Sequence, residues 1–114
     1  MTKRITKYSS PTIRIEPEYQ KIKISKTIID HLGLKKGDKI TFVYKDGKAY
    51  IEKSWEFSGF KIHVLSTRIF YFISKETLIN FDDTFHFLKS KNKGFDFDVN
   101  LETLEVTFDK EKNN

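Results

Sequence analysis

The chain has 114 residues, enough for one buried core and too few for two independent ones, and a formal net charge of +5. It has no cysteine, so it can form neither a disulfide nor a thiolate metal site, and no apolar run is long enough to cross a bilayer. Phenylalanine contributes 11 residues and tyrosine 5, which favours pleated, half-buried surfaces and a mainly β protein.

The charge is unevenly spread. Residues 1–57 hold 13 Lys/Arg against 7 Asp/Glu, a balance of +6, and residues 58–114 hold 8 against 9, a balance of −1. The basic potential therefore belongs to the first half.

Residues 1–10 read as a flexible basic arm carrying Lys3, Arg4 and Lys7, with no apolar signal core behind them; a cytoplasmic protein is expected. From Thr12, Ile13-Arg14-Ile15 and Ile22-Lys23-Ile24 alternate with the period of strands that bury one face, and Pro17 interrupts them. Ser25 reads as an N-cap. Ile28, Ile29 and Leu32 then form a narrow apolar stripe on a short helix that Gly33 stops. Lys35-Lys36-Gly37-Asp38 reads as a turn into a strand over 40–44. Asp46-Gly47 is a hairpin signal, because both residues tolerate the positive φ of a type I′ turn, and Ala49-Tyr50-Ile51 is the returning strand.

The pattern then recurs. "GFKIHVLSTRIFYFISK" from Gly59 contains a match to "PTIRIEPEYQKIKISK" from Pro11 at an offset of 49 residues, which sets Phe60 against Pro11 and Ile73-Ser74-Lys75 against Ile24-Ser25-Lys26. Past the helix the offset falls to 45, which aligns the strand start Asp38-Lys39-Ile40-Thr41-Phe42 with Asp83-Thr84-Phe85-His86-Phe87. A last hairpin is expected from strands at 95–99 and 104–108, and the charged tail 110–114 reads as frayed. A unit that cannot close its own core finds its complement in the other copy, so 11–109 is expected to be one domain of two related halves, 11–57 and 58–109.

The stretch Lys21 to Lys53, "KIKISKTIIDHLGLKKGDKITFVYKDGKAYIEK", resembles the N-terminal domain of the AbrB/MazE family (SpoVT-AbrB-like) of swapped-hairpin DNA-binding regulators, which includes antitoxins. Strand, short helix, "LGL" with a basic "GD" turn, strand, "DG" turn and strand occur in the family's order. The resemblance implies a swapped-hairpin β-barrel, which in the family is normally built by two chains. Here it implies an internally duplicated single-chain pseudo-dimer with one short helix per half.

Lys21 and Lys23 alternate with buried-type isoleucines and so project from the face opposite the core, where Lys26, Lys35 and Lys36 extend the charge. Such a rigid cationic β surface can neutralise DNA phosphates, and Arg14 and the arm can add contacts. Taken without the resemblance, alternating lysines are more often a solvated face.

In the aromatic run Ile69-Phe70-Tyr71-Phe72-Ile73, Phe70 and Phe72 occupy the duplicate positions of Lys21 and Lys23. The run reads as core by default and otherwise as a surface for a protein partner. His31, His63 and His86 are too dispersed for a metal site, with His63 expected to face outward. Asp82-Asp83 reads as a helix-end cap rather than an acid/base pair, and the repeated Ser-Lys as a helix entry rather than a dyad. The expectation is a DNA-binding transcriptional regulator with no enzymatic chemistry, cofactor, small-molecule substrate or membrane contact. The alternatives are an antitoxin-like protein-interaction module and a homodimer.

Overall fold

A computed structural model describes residues 10–35, 37–54 and 59–113. The basic arm with Lys3, Arg4 and Lys7, and also Lys36, lie outside the described residues. The elements run β1 (Thr12–Glu16), β2 (Lys21–Ile24), α1 (Lys26–His31), β3 (Lys39–Lys45), β4 (Lys48–Ser54), β5 (Phe60–Lys61), β6 (His63–Val64), β7 (Phe70–Ile73), α2 (Lys75–Phe85), β8 (Phe95–Val99) and β9 (Glu105–Phe108).

All strand pairs are antiparallel, in the order β5-β3-β4-β9-β8-β1-β2-β7-β6. The two strands at the ends of this order are consecutive in the chain, with only Ile62 between them. The segment Phe60 to Val64 thus pairs with β3 on one side and β7 on the other, and the Ile62 N–H donates to the Asp38 carbonyl at 3.2 Å. The sheet is a nearly closed barrel, and Ile62 is buried at the seam.

Within this order the hairpins of the two sequence halves alternate. β3–β4 lies beside β9–β8, which lies beside β1–β2, which lies beside β7–β6. Every boundary between hairpins is therefore a boundary between halves, and neither half buries its apolar face without the other.

Local chemistry explains the elements. Ile13, Ile15, Ile22 and Ile24 alternate into the core as their period requires. Pro17 opens a single 3-10 turn between β1 and β2, closed by Gln20 in the left-handed region at φ 52°. α1 has six residues, too few to persist alone, and is held by burial of Ile28 and Ile29, each contributing about 1.5–3 kcal/mol. Its end is a complete Schellman motif: Leu34 N–H donates to the Ile29 carbonyl and Gly33 N–H to the Asp30 carbonyl, with Gly33 at φ 65°. Asp46 and Gly47, at φ 53° and 75°, turn β3 into β4 as the sequence predicts.

The two serines expected to cap helices differ. Ser74 Oγ accepts from Thr77 N–H at 3.0 Å, a true N-cap. Ser25 makes no such bond; its Oγ accepts instead from Thr12 N–H at 3.0 Å and ties β1 to the entry of α1. Ser74→Ala is expected to lower stability by about 1 kcal/mol in urea unfolding, and a loss below a few tenths would show that the cap is dispensable.

Two sequence expectations are corrected. The strand start expected at Asp83-Thr84-Phe85 is the last turn of α2, because Leu78, Phe81 and Phe85 form a helical stripe against the barrel. His86 ends α2 in the left-handed region at φ 56°, and Asp82 Oδ1 accepts from Phe87 N–H at 3.0 Å and Leu88 N–H at 2.9 Å, the helix-end role expected of this acid pair. The second correction is in β7. Phe72 lies opposite Ile22, and Tyr71 opposite Lys23, so the inward positions sit one residue out of step with the offset of 49. Ile24 is 2% exposed while its sequence counterpart Ile73 is 51% exposed. Phe72, at 2% exposure, stacks on Phe60 in the core, and half-buried Phe70 packs against it. The core reading of the aromatic run holds for both, and neither replaces a lysine on the outer face.

The tail reaches back to β8. The Asn113 side chain brackets Asp96, accepting from its N–H at 2.7 Å and donating to its carbonyl at 2.9 Å, and Lys112 Nζ meets Asp98 Oδ1 at 2.8 Å.

Candidate nucleic-acid interface

The outer surface of strands β8, β1, β2, β7 and β6 carries one continuous cross-strand row: Asp96, Arg14, Lys23, Tyr71 and His63. Lys21 and Lys23 do project away from the buried isoleucines, and His63 faces outward, its ring 5.5 Å from that of Tyr71.

The cations on this surface are not bare. Arg14 Nη1 donates to both oxygens of Asp96, at 3.0 and 3.1 Å, and Arg14 Nε lies 3.6 Å from Glu16 Oε2. Lys23 Nζ meets the same Glu16 oxygen at 3.1 Å. Lys21 Nζ sits 5.1 Å from the centre of the Tyr71 ring, within cation–π range. Arg14, Lys23 and Asp96 are partly open to water and Glu16 is less so, and at such a surface each pair is worth about 0–1 kcal/mol. A phosphate oxygen can therefore displace either carboxylate at small cost.

Gly94 shapes the surface as well. A Cβ at that position would strike the Arg14 guanidinium, so its absence lets Arg14 lie flat against the end of the 86–94 loop and reach Asp96.

The other sequence candidates lie apart. Lys26 pairs with Asp30 one helical turn on, Nζ to Oδ2 at 2.7 Å, and both are exposed. Lys35 is exposed, and its backbone N–H donates to Asp38 Oδ2 at 2.8 Å. That bond, reinforced by the Lys53 ammonium at 3.4 Å, holds the Asp38 carboxyl below the usual carboxylate range, so the turn stays tied at neutral pH.

Arg14 and Lys23 are brought together with a residue that the sequence did not single out. Along with the hydroxyl-bearing Thr12 and Ser25, they line a hollow of about 130 Å³ whose far wall is the Arg68–Phe70 segment. Arg68 lies in the turn between β6 and β7, where no local pattern marks it. Only the pairing of β7 with β2 places it beside Lys23. Three cationic side chains and two hydroxyls around a space of this size suit a phosphate group.

Comparison with protein-family models, with curated proteins and with solved structures finds no match to this chain.

Proposed function

We propose that the chain is a DNA-binding transcriptional regulator of the AbrB/MazE type, with both barrel-forming units in one polypeptide. The observation that carries this reading is the convergence of Arg14, Lys23 and Arg68 on one hollow of the outer sheet surface. Two features support it. The stretch Lys21 to Lys53 follows the family's order of elements, and the hairpins of the two halves alternate around the barrel as those of two interleaved chains would. The hollow seats a backbone phosphate, and Lys21 and the exposed Lys26 and Lys35 extend the contact along the duplex. Exchange of Asp96 and Glu16 for phosphate lets the cations engage.

Titration of labelled duplex DNA across salt concentrations tests this. Four phosphate contacts, one in the hollow and one each at Lys21, Lys26 and Lys35, give log K falling with log salt at a slope of about −3.6, and Lys21→Glu/Lys23→Glu should reduce both the affinity and the slope. Absence of binding at low salt would sink the proposal.

A second reading, a protein-interaction module of antitoxin type, draws on exposed aliphatic side chains of β6, β7 and the turn between them: Val64, Leu65, Ile69 and Ile73. Light scattering separates a single-chain barrel from a homodimer covering this patch.

A further inference from the structure

We propose a second binding site, for a small aromatic anion, in the recess beneath the C-terminal end of α2. The recess has a volume of about 230 Å³, below the roughly 300–1,000 Å³ of sites for drug-sized ligands, and so fits a single ring with one charged substituent.

Its floor is aromatic. Phe87 and Phe95 meet edge to face with ring centres 4.8 Å apart, and Phe108 lies 5.9 Å from the first and 6.3 Å from the second. Phe87 and Phe95 are fixed in the core and present little more than their edges, so a ligand ring would lie chiefly against half-buried Phe108.

Its rim is built of donors. Lys89, Ser90 and Lys110 line it with His86, and among the described residues no Asp or Glu lines it. Of the acids nearby in sequence, Asp82 Oδ1 accepts from Phe87 N–H and Leu88 N–H, Asp109 Oδ1 accepts from Glu111 N–H and Lys112 N–H, and Asp96 is paired with Arg14, while Glu111 is exposed to water. This distinguishes the recess from the β1–β2 surface, where Arg14 and Lys23 each lie against carboxylates. Among the described residues neither Lys89 nor Lys110 is paired with a carboxylate, so an anion entering the recess meets two ammonium groups.

The outer wall is held in place. Asn113, which also lines the recess, is bonded on both sides to the backbone of Asp96, so the tail carrying Lys110 is fastened to β8. A floor in the core and a fastened rim make a largely preformed site, which limits the ordering cost of binding.

Amide chemical-shift titrations of the intact chain test this with four probes: benzoate, phenyl phosphate, inorganic phosphate and benzyl alcohol. The two aromatic anions should saturate shifts at Phe87, Ser90, Phe95 and Asn113 with dissociation constants of about 1 mM or tighter. Inorganic phosphate, without the ring, and benzyl alcohol, without the charge, should each bind at least about tenfold more weakly. Lys89→Gln/Lys110→Gln should weaken both anions about tenfold and leave benzyl alcohol unchanged, and Phe108→Leu should weaken all three ring-bearing probes. No saturable shift with either aromatic anion overturns the proposal. So does inorganic phosphate binding as tightly as phenyl phosphate, or a double lysine variant that binds benzoate as the parent does.

Discussion

Phe81→Ala is expected to lower the free energy of unfolding by about 3–5 kcal/mol, the range for removing a fully buried aromatic ring. Phe81 is completely buried on α2, and its ring makes edge contacts with Phe42 on β3, at 4.9 Å, and Phe97 on β8, at 5.2 Å. It also lies 5.6 Å from Phe85 one turn on. One ring thus joins a first-half hairpin to a second-half hairpin and attaches the longer helix to both. The alanine variant leaves a cavity that these neighbours cannot fill, since Phe42, Phe85 and Phe97 are themselves held in strands or in the helix. Urea unfolding followed by circular dichroism measures the loss, and a midpoint shift equivalent to under about 1 kcal/mol would show that α2 is not what secures the halves to each other. Phe60, stacked on Phe72 at the barrel seam, is partly exposed and should cost less on truncation.

What could be read from the residues was whatever depends on near neighbours. Isoleucines spaced by two at 13, 15, 22 and 24 declared an inner face, and Asp46-Gly47 declared a hairpin, because pleat and turn geometry act over two to four residues. The mixed outer surface was half legible. Lys21 and Lys23 were placed outward by the same alternation, but the acids that face them were not. Asp96 is 82 residues from Arg14, and only the pairing of β1 with β8 sets them side by side.

The echo of the first half misled at two places. Matching Asp83-Thr84-Phe85 to Asp38-Lys39-Ile40 hid the helical spacing of Leu78, Phe81 and Phe85, which the barrel interior selects. In β7, the strand enters one residue out of step with the match, and facing is decided by cross-strand partners such as Ile22 against Phe72 rather than by likeness of sequence. Arg68 had no local signal at all, since its neighbours in the hollow come from β1 and β2.

Removing the acids from the outer surface should strengthen DNA binding. In Glu16→Gln/Asp96→Asn, Arg14 loses partners at 3.0 and 3.6 Å and Lys23 loses its partner at 3.1 Å, while both cations stay beside the hollow. A phosphate approaching the parent protein must displace these carboxylates and remain near their charge; approaching the variant it meets Arg14 and Lys23 without those two charges. The affinity for duplex DNA at low salt is expected to rise about tenfold, with a steeper dependence on salt as more counterions are released. Stability should move the other way, by less than about 1 kcal/mol, because half-exposed pairs contribute little and Arg14, Lys21 and Lys23 then repel one another through water. Opposite signs in the two measurements separate a binding surface from a structural network. If the acids serve only to order the strands, the variant loses stability and gains no affinity, and Arg14 and Lys23 are then not the groups that contact DNA.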